Sequence, residues 1–306
     1  MKMQRRTFLA ITAAAGTSLV APARGLAQAE ATPETPMTGT TPQTGYAPVN
    51  GLQMYYEIHG SGGVPLVMLH GSFGTIELWG PLLETLAQTR QVIAVEQQAH
   101  GHTADIDRPL RYEQMADDTA ALLRHLGIEQ ADVFGYSMGG YIALQLVLRH
   151  PELVRKQVVV SASYTKAGVY PEVWEAVTTL PPEVFAGSPE EASYLRNAPN
   201  PEDFPTLIEK NQELEAQDFA WSAEDIEAIE APTLLIYGDA DIVRPEHAAE
   251  LYRLLGGGVP GDFVGLPPSQ LAILPGTTHV GVVREGADLL LVIVPPFLDA
   301  PMPNAA

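Results

Sequence analysis

The chain reads as an α/β fold, a mostly parallel central sheet with helices on both faces. Three observations predict it. Short continuous apolar runs recur along the sequence, helical stripes separate them, and 306 residues with 46% hydrophobic content can bury a large core.

Residues 52–58 alternate loosely and end at Gly60-Ser61-Gly62-Gly63, which predicts a strand and a turn. Residues 65–69 form an unbroken apolar run stopping at His70-Gly71, as expected of a strand covered on both faces. The pattern returns at 91–95, 131–134, 157–161, 232–237 and 270–274. Between these runs lie helical stripes. Leu82, Leu83, Leu86 and Ala87 make one; Met115, Thr119, Leu122, Leu123 and Leu126 make a second, stopped by Gly127. Residues 142–148 are apolar on several faces and mark a buried helix, with Pro151 just beyond its end. Residues 247–255 give another, ended by three glycines. No internal repeat is present.

One stretch breaks the alternation. Residues 164–231 contain no strand run and are rich in proline and in aromatics such as Trp174, Phe185, Phe204, Phe219 and Trp221. This predicts short helices joined by proline turns, a cap over the carboxyl edge of the sheet, where open α/β sheets bind ligands. The core is then 47–163 together with 232–300.

The N-terminus has the layout of an export signal. Arg5-Arg6 precedes Phe8-Leu9, a run of apolar and small residues follows over 10–21, and Ala27-Gln28-Ala29 offers a cleavage site. The run is shorter than the roughly 20 apolar residues a bilayer span needs, so stable membrane insertion is not expected. Residues 1–29 are expected to be removed after Ala29, leaving a periplasmic or extracellular protein. Residues 30–46, rich in Thr, Pro and Gly, read as a flexible linker.

Lys plus Arg total 17 against 37 Asp plus Glu, a formal charge of −20. Such a surface repels phosphate backbones, so nucleic acid is excluded as a partner. There is no cysteine, which excludes disulfides, thiolate nucleophiles and cysteine metal sites.

Gly135-Tyr136-Ser137-Met138-Gly139 matches G-x-S-x-G between a strand and a helix, the context in which the serine is a nucleophile on a sharp turn. A serine hydroxyl needs a base to take its proton. Of the eight histidines, His279 is last in the chain and follows the last strand, as the order serine, acid, histidine requires. The orienting acid falls in Gly238-Asp239-Ala240-Asp241 after the penultimate strand; spacing alone leaves Asp239 and Asp241 open. The Met138 N–H is one expected oxyanion donor. Ser72 N–H, in the glycine-bracketed loop 70–74, is the other, with Phe73 second or as a wall of the acyl pocket. His100-Gly101-His102 reads as a structural turn rather than a metal site.

From about residue 52 to 298 these markers resemble the α/β-hydrolase superfamily, in its small carboxylesterase, C–C hydrolase and cofactor-free haloperoxidase branch. The resemblance rests on the His70-Gly71 loop, the 135–140 elbow, the 238–241 acid segment and Gly276-Thr277-Thr278-His279. It selects Asp241 as the acid and implies a helical cap, with no cofactor or metal. It departs at Glu96 and Ala99-His100-Gly101, where such proteins carry Asp and Gly-His-Gly. The activity implied is cleavage of an apolar carboxylic ester through an acyl-enzyme on Ser137. C–C hydrolysis or perhydrolysis at the same site is the alternative, and a non-catalytic small-ligand receptor is a third reading.

Overall fold

The computed structural model describes residues 41–303. Among them is one eight-stranded sheet, ordered β1-β2-β4-β3-β5-β6-β7-β8. Its strands are β1 (Gln43–Val49), β2 (Leu52–His59), β3 (Leu66–Leu69), β4 (Val92–Val95), β5 (Ala131–Tyr136), β6 (Val154–Val160), β7 (Thr233–Ala240) and β8 (Gln270–Thr278). The β1–β2 and β2–β4 pairs are antiparallel, and every other pair is parallel. The residues of β3 and β4 are all buried, which is why they read as unbroken apolar runs.

The helices α1 (Gly80–Leu86), α2 (Tyr112–His125), α3 (Met138–Arg149), α8 (Pro245–Leu254) and α10 (Ala287–Asp299) accompany the sheet, while α4 (Pro171–Val177), α5 (Pro189–Asn197), α6 (Phe204–Ala216) and α7 (Ala223–Glu227) fill the span between β6 and β7; α9 (Gly261–Val264) is a single turn. One apolar cluster joins α2 and α3 to one side of the sheet, and a second joins α1 and α10 to the other. Together they bury both faces. Lys156, buried in β6, donates from Nζ to the carbonyls of Phe297 (2.8 Å) and Leu298 (3.2 Å) and so fastens the end of α10.

The start of the folded region needs a correction. The linker expected over 30–46 gives way at Gln43, where β1 begins and pairs Gln43 with Ile58 through Val49 with Leu52. An edge strand needs few buried side chains, so its sequence carries little apolar signal: Tyr46 is half exposed, its ring 5.2 Å from that of Tyr55. The hairpin turns at Asn50 (φ 49°) and Gly51 (φ 89°), the Asn-Gly pair that favours such a turn. The expected signal at 1–29 lies outside the described residues.

Strand order reverses at β3, with β4 on one side and β5 on the other. The loops after β3 and β5 therefore diverge at the carboxyl edge and open a crevice between them. Those loops carry residues 70–74 and Ser137.

Candidate active site

Ser137 sits between β5 and α3 with φ 53° and ψ −118°, outside the regions a side-chain-bearing residue favours. The turn is held by the Ser137 N–H on the Val160 carbonyl (2.9 Å) and by the Gly140 N–H on the Ser137 carbonyl (2.8 Å). Only glycine permits the packing around it. A Cβ on Gly135 would lie 2.1 Å from the Gly139 oxygen, and one on Gly139 would lie 1.9 Å from the Leu69 oxygen. The turn lifts the serine hydroxyl out of the sheet edge, and the Met138 N–H behind it stands in the first turn of α3, where the helical ladder leaves donors free.

His279 follows β8 directly. Its Nε2 lies 3.0 Å from Ser137 Oγ and its Nδ1 lies 2.8 Å from Asp241 Oδ1. An ionised aspartate can only accept, so the proton is on Nδ1 and Nε2 is free to accept from the serine. Tyr136 donates from its hydroxyl to the His279 carbonyl at 3.2 Å.

The two acids after β7 have different surroundings. The Asp241 side chain is fully buried. Oδ1 also accepts from the N–H of Ile242 (2.7 Å) and Val243 (3.3 Å), and Oδ2 accepts from the Gly238 N–H (3.2 Å) and the Ser161 hydroxyl (2.5 Å). Burial alone would raise its pKa. The adjacent imidazole and these donors outweigh it and hold the carboxyl below the ordinary aspartate value. Asp239 is exposed and accepts instead from the Thr277 N–H at 3.0 Å.

Ser72 and Phe73 form the centre of a turn closed by the Gly74 N–H on the Gly71 carbonyl (3.0 Å), with Phe73 at φ 62°. His70, fully buried beneath it, donates from Nδ1 to the Gly71 carbonyl (2.8 Å) and accepts on Nε2 from the Gln97 N–H (3.2 Å). The Phe73 ring lies 4.7 Å from Phe185 of the cap, within a cluster that includes Tyr194, Phe204, Leu207 and Ile208.

Three contributors escaped the sequence reading. Ser161 (φ 56°) closes β6 and donates to Asp241; a lone serine after an apolar run gives no signal. Tyr136 read only as a neighbour of the nucleophile. Glu215 of α6 accepts from Ser72 Oγ at 3.2 Å. It was hidden among the other acids of that helix, Glu209 and Glu213.

At the position of departure, Glu96 is buried and its carboxylate takes the N–H groups of Ile76 (3.2 Å) and His102 (2.6 Å) and the His102 ring at 2.9 Å. Gly101 (φ 51°) leaves room for it, since a Cβ there would be 2.3 Å from the carboxylate. The longer acid thus pins the 99–103 loop against the turn at Ile76–Trp79. His100 is buried beside His70, ring centres 5.0 Å apart.

The fold and this edge define a hydrolase of the α/β type. The family described as alpha/beta hydrolase fold matches residues 64–228, more than half of the chain, and the chain belongs to it. It is 30% identical over 229 residues, 68% of this chain and 83% of the other, to the provisionally named carbamate hydrolase RutD of Azorhizobium caulinodans. It is 26% identical over 259 residues, 76% of this chain and 93% of the other, to a pimeloyl-[acyl-carrier protein] methyl ester esterase of Yersinia enterocolitica. Its fold resembles that of a meta-cleavage product hydrolase from Pseudomonas fluorescens IP01, at TM-score 0.64 and 22% identity over 84% of this chain and 97% of that one.

Proposed function

We propose that the protein is a serine hydrolase that cleaves a carboxylic ester through an acyl-enzyme on Ser137. The observation that carries this reading is the continuous hydrogen-bonded line from Ser137 Oγ through His279 to the buried Asp241, at 3.0 and 2.8 Å.

Ser137 Oγ attacks the ester carbonyl while His279 Nε2 takes its proton, and Asp241 stabilises the imidazolium that forms. The carbonyl oxygen becomes an oxyanion held by the N–H groups of Met138 and Ser72. The intermediate collapses, the C–O bond to the alcohol breaks, and His279 returns its proton to the departing oxygen. Water then attacks the acyl-serine with His279 again as base, and the acid leaves. No metal or cofactor enters this sequence. Phe73 and Phe185 supply an apolar wall, which favours an apolar group on one side of the carbonyl.

Hydrolysis of p-nitrophenyl esters from acetate to palmitate by the wild type and by Ser137→Ala tests the reading. Turnover is expected in the wild type and only background in the variant, and the chain-length optimum sizes the pocket. Substantial turnover by Ser137→Ala would overturn it. Labelling of Ser137 by a fluorophosphonate without turnover on any ester would move the reaction to another acyl or C–C bond.

A further inference from the structure

Resting on the serine-hydrolase reading, we propose that Glu215 of the cap is a specificity-determining residue, whose carboxyl accepts a hydrogen bond from a hydroxyl, N–H or ammonium group that the substrate carries beside its scissile carbonyl. The argument begins with position. Glu215 Oε1 lies 3.2 Å from Ser72 Oγ, and the Ser72 N–H is the proposed second oxyanion donor. The carboxyl therefore stands next to the place where negative charge develops during acylation.

Its surroundings leave that carboxyl under-supplied with donors. The Ser72 hydroxyl is its hydrogen-bond partner, compared with the five donors around Asp241. The titratable and charged groups that face it are His279 from the loop after β8, Lys166 from the segment after β6, Tyr112 of α2 and Tyr141 of α3. Lys166 is committed elsewhere, to the carbonyls of Ala216 (2.8 Å) and Gln217 (3.1 Å) and to Asp218 (3.7 Å). Among the described residues no cation is thus placed to neutralise Glu215 directly.

The neighbouring inward position of the helix points the same way. Asn211 lies four residues earlier, on the same face of α6. It is fully buried and its Oδ1 accepts from no donor among the described residues, while its Nδ2 is spent on the Leu207 carbonyl at 2.9 Å. The inward side of α6 thus carries a second acceptor that meets no donor among the described residues.

Charge supplies the second half. Glu215 is half-buried, and that partial burial pushes its carboxyl up to about 7. Ionised, it opposes the oxyanion beside Ser72. Protonated, or paired with a donor from the substrate, it does not. An ester without a donor should react best when Glu215 is protonated, so its kcat/KM should fall as pH rises through about 7. A substrate with a carboxylate at the same place should be rejected.

The test uses wild type, Glu215→Gln, Glu215→Leu and Ser137→Ala on methyl butyrate, methyl 3-hydroxybutyrate and monomethyl succinate, with methanol release measured from pH 6 to 9. The wild type should prefer the hydroxy ester over methyl butyrate by roughly tenfold or more and be slowest on the succinate monoester. Glu215→Leu, similar in volume, should erase the preference. Glu215→Gln should remove the alkaline fall on methyl butyrate, which a merely structural role for Glu215 would leave in place. If both variants keep the wild-type preference and pH profile while Ser137→Ala is inactive, this inference is wrong and the serine reading stands. Activity surviving in Ser137→Ala would instead defeat the serine reading itself.

Discussion

Replacing Asp241 by Asn separates the two acids that spacing alone leaves open. Five donors converge on the carboxylate: His279 Nδ1 and the N–H groups of Ile242 and Val243 on Oδ1, and the Gly238 N–H and Ser161 hydroxyl on Oδ2. The amide keeps three of them if its oxygen takes the Oδ1 place. Ser161 can then turn to accept from the new NH₂ group, but the Gly238 N–H meets a donor and loses its partner. An orphaned buried donor of this kind costs about 1–3 kcal/mol of stability. The catalytic loss is larger. At 2.8 Å and an effective dielectric constant of roughly 20, the carboxylate stabilises the imidazolium by about 6 kcal/mol, or about 10⁴ in rate. Because the amide oxygen still accepts from Nδ1, the expected fall in kcat is about 10³–10⁴. Asp239→Asn alters exposed hydrogen bonds to the backbone at Gly276 and Thr277 and should stay within about twofold. Both variants are assayed on one p-nitrophenyl ester, with thermal melts to confirm folding. If Asp241→Asn retained a tenth of the wild-type rate, or Asp239→Asn lost more, the assignment of the orienting acid would be refuted.

Gly139→Ala places a Cβ 1.9 Å from the Leu69 carbonyl, so the elbow and β3 cannot both stay in place. Loss of soluble protein, or melting far below the wild type, is expected; an unchanged melt would contradict the packing described. The pH dependence of stability follows from three buried histidines kept neutral by burial: His70, whose pKa is lowered, His100 at about 3 and His247 at about 4. Their folded pKa values lie below the unfolded value of 6.5, so the unfolded chain takes up protons first. Stability is whole above that value and falls as pH drops toward 4, by about 1.4 kcal/mol per pH unit for each group. His102 and Glu215 act in the opposite sense: a hydrogen bond to Glu96 raises the His102 pKa and burial raises that of Glu215, contributions present at low pH and lost as pH rises through the folded values. Guanidinium unfolding at pH 7 and pH 5 measures the net slope, which His247→Gln should flatten.

Legibility in the sequence tracked burial and backbone demand. Strands β3 and β4, buried on every residue, announce themselves as apolar runs, and the glycines around Ser137 announce a turn that tolerates no side chains. Some elements with one wet face do not. Strand β1 carries a half-exposed tyrosine and the small Gly45 and Ala47 after polar Gln43 and Thr44, so it merges with the linker before it. Helix α10 is obscured by Pro295 and Pro296 inside it, although Leu290, Val294, Phe297 and Leu298 form its buried stripe. Glu215 has no local mark at all. An acid on a cap helix normally belongs to the solvent face, and only the tertiary approach of α6 to the 70–74 loop turns this one inward.

The site then holds two carboxyls whose environments drive them apart. Asp241 is buried but meets five donors, one of them the imidazole it supports, and is held ionised. Glu215 meets one hydroxyl, and burial pushes it up to about 7. Under the proposed mechanism this difference is necessary. An anion behind His279 stabilises the positive charge that forms there, whereas a permanent anion beside Ser72 would oppose the oxyanion on the other side of the same carbonyl. A carboxyl can be tolerated in that second place only if it is easily neutralised, by a proton or by the substrate. The sparse donor supply around Glu215 is thus consistent with catalysis and leaves the substrate to provide what the protein withholds.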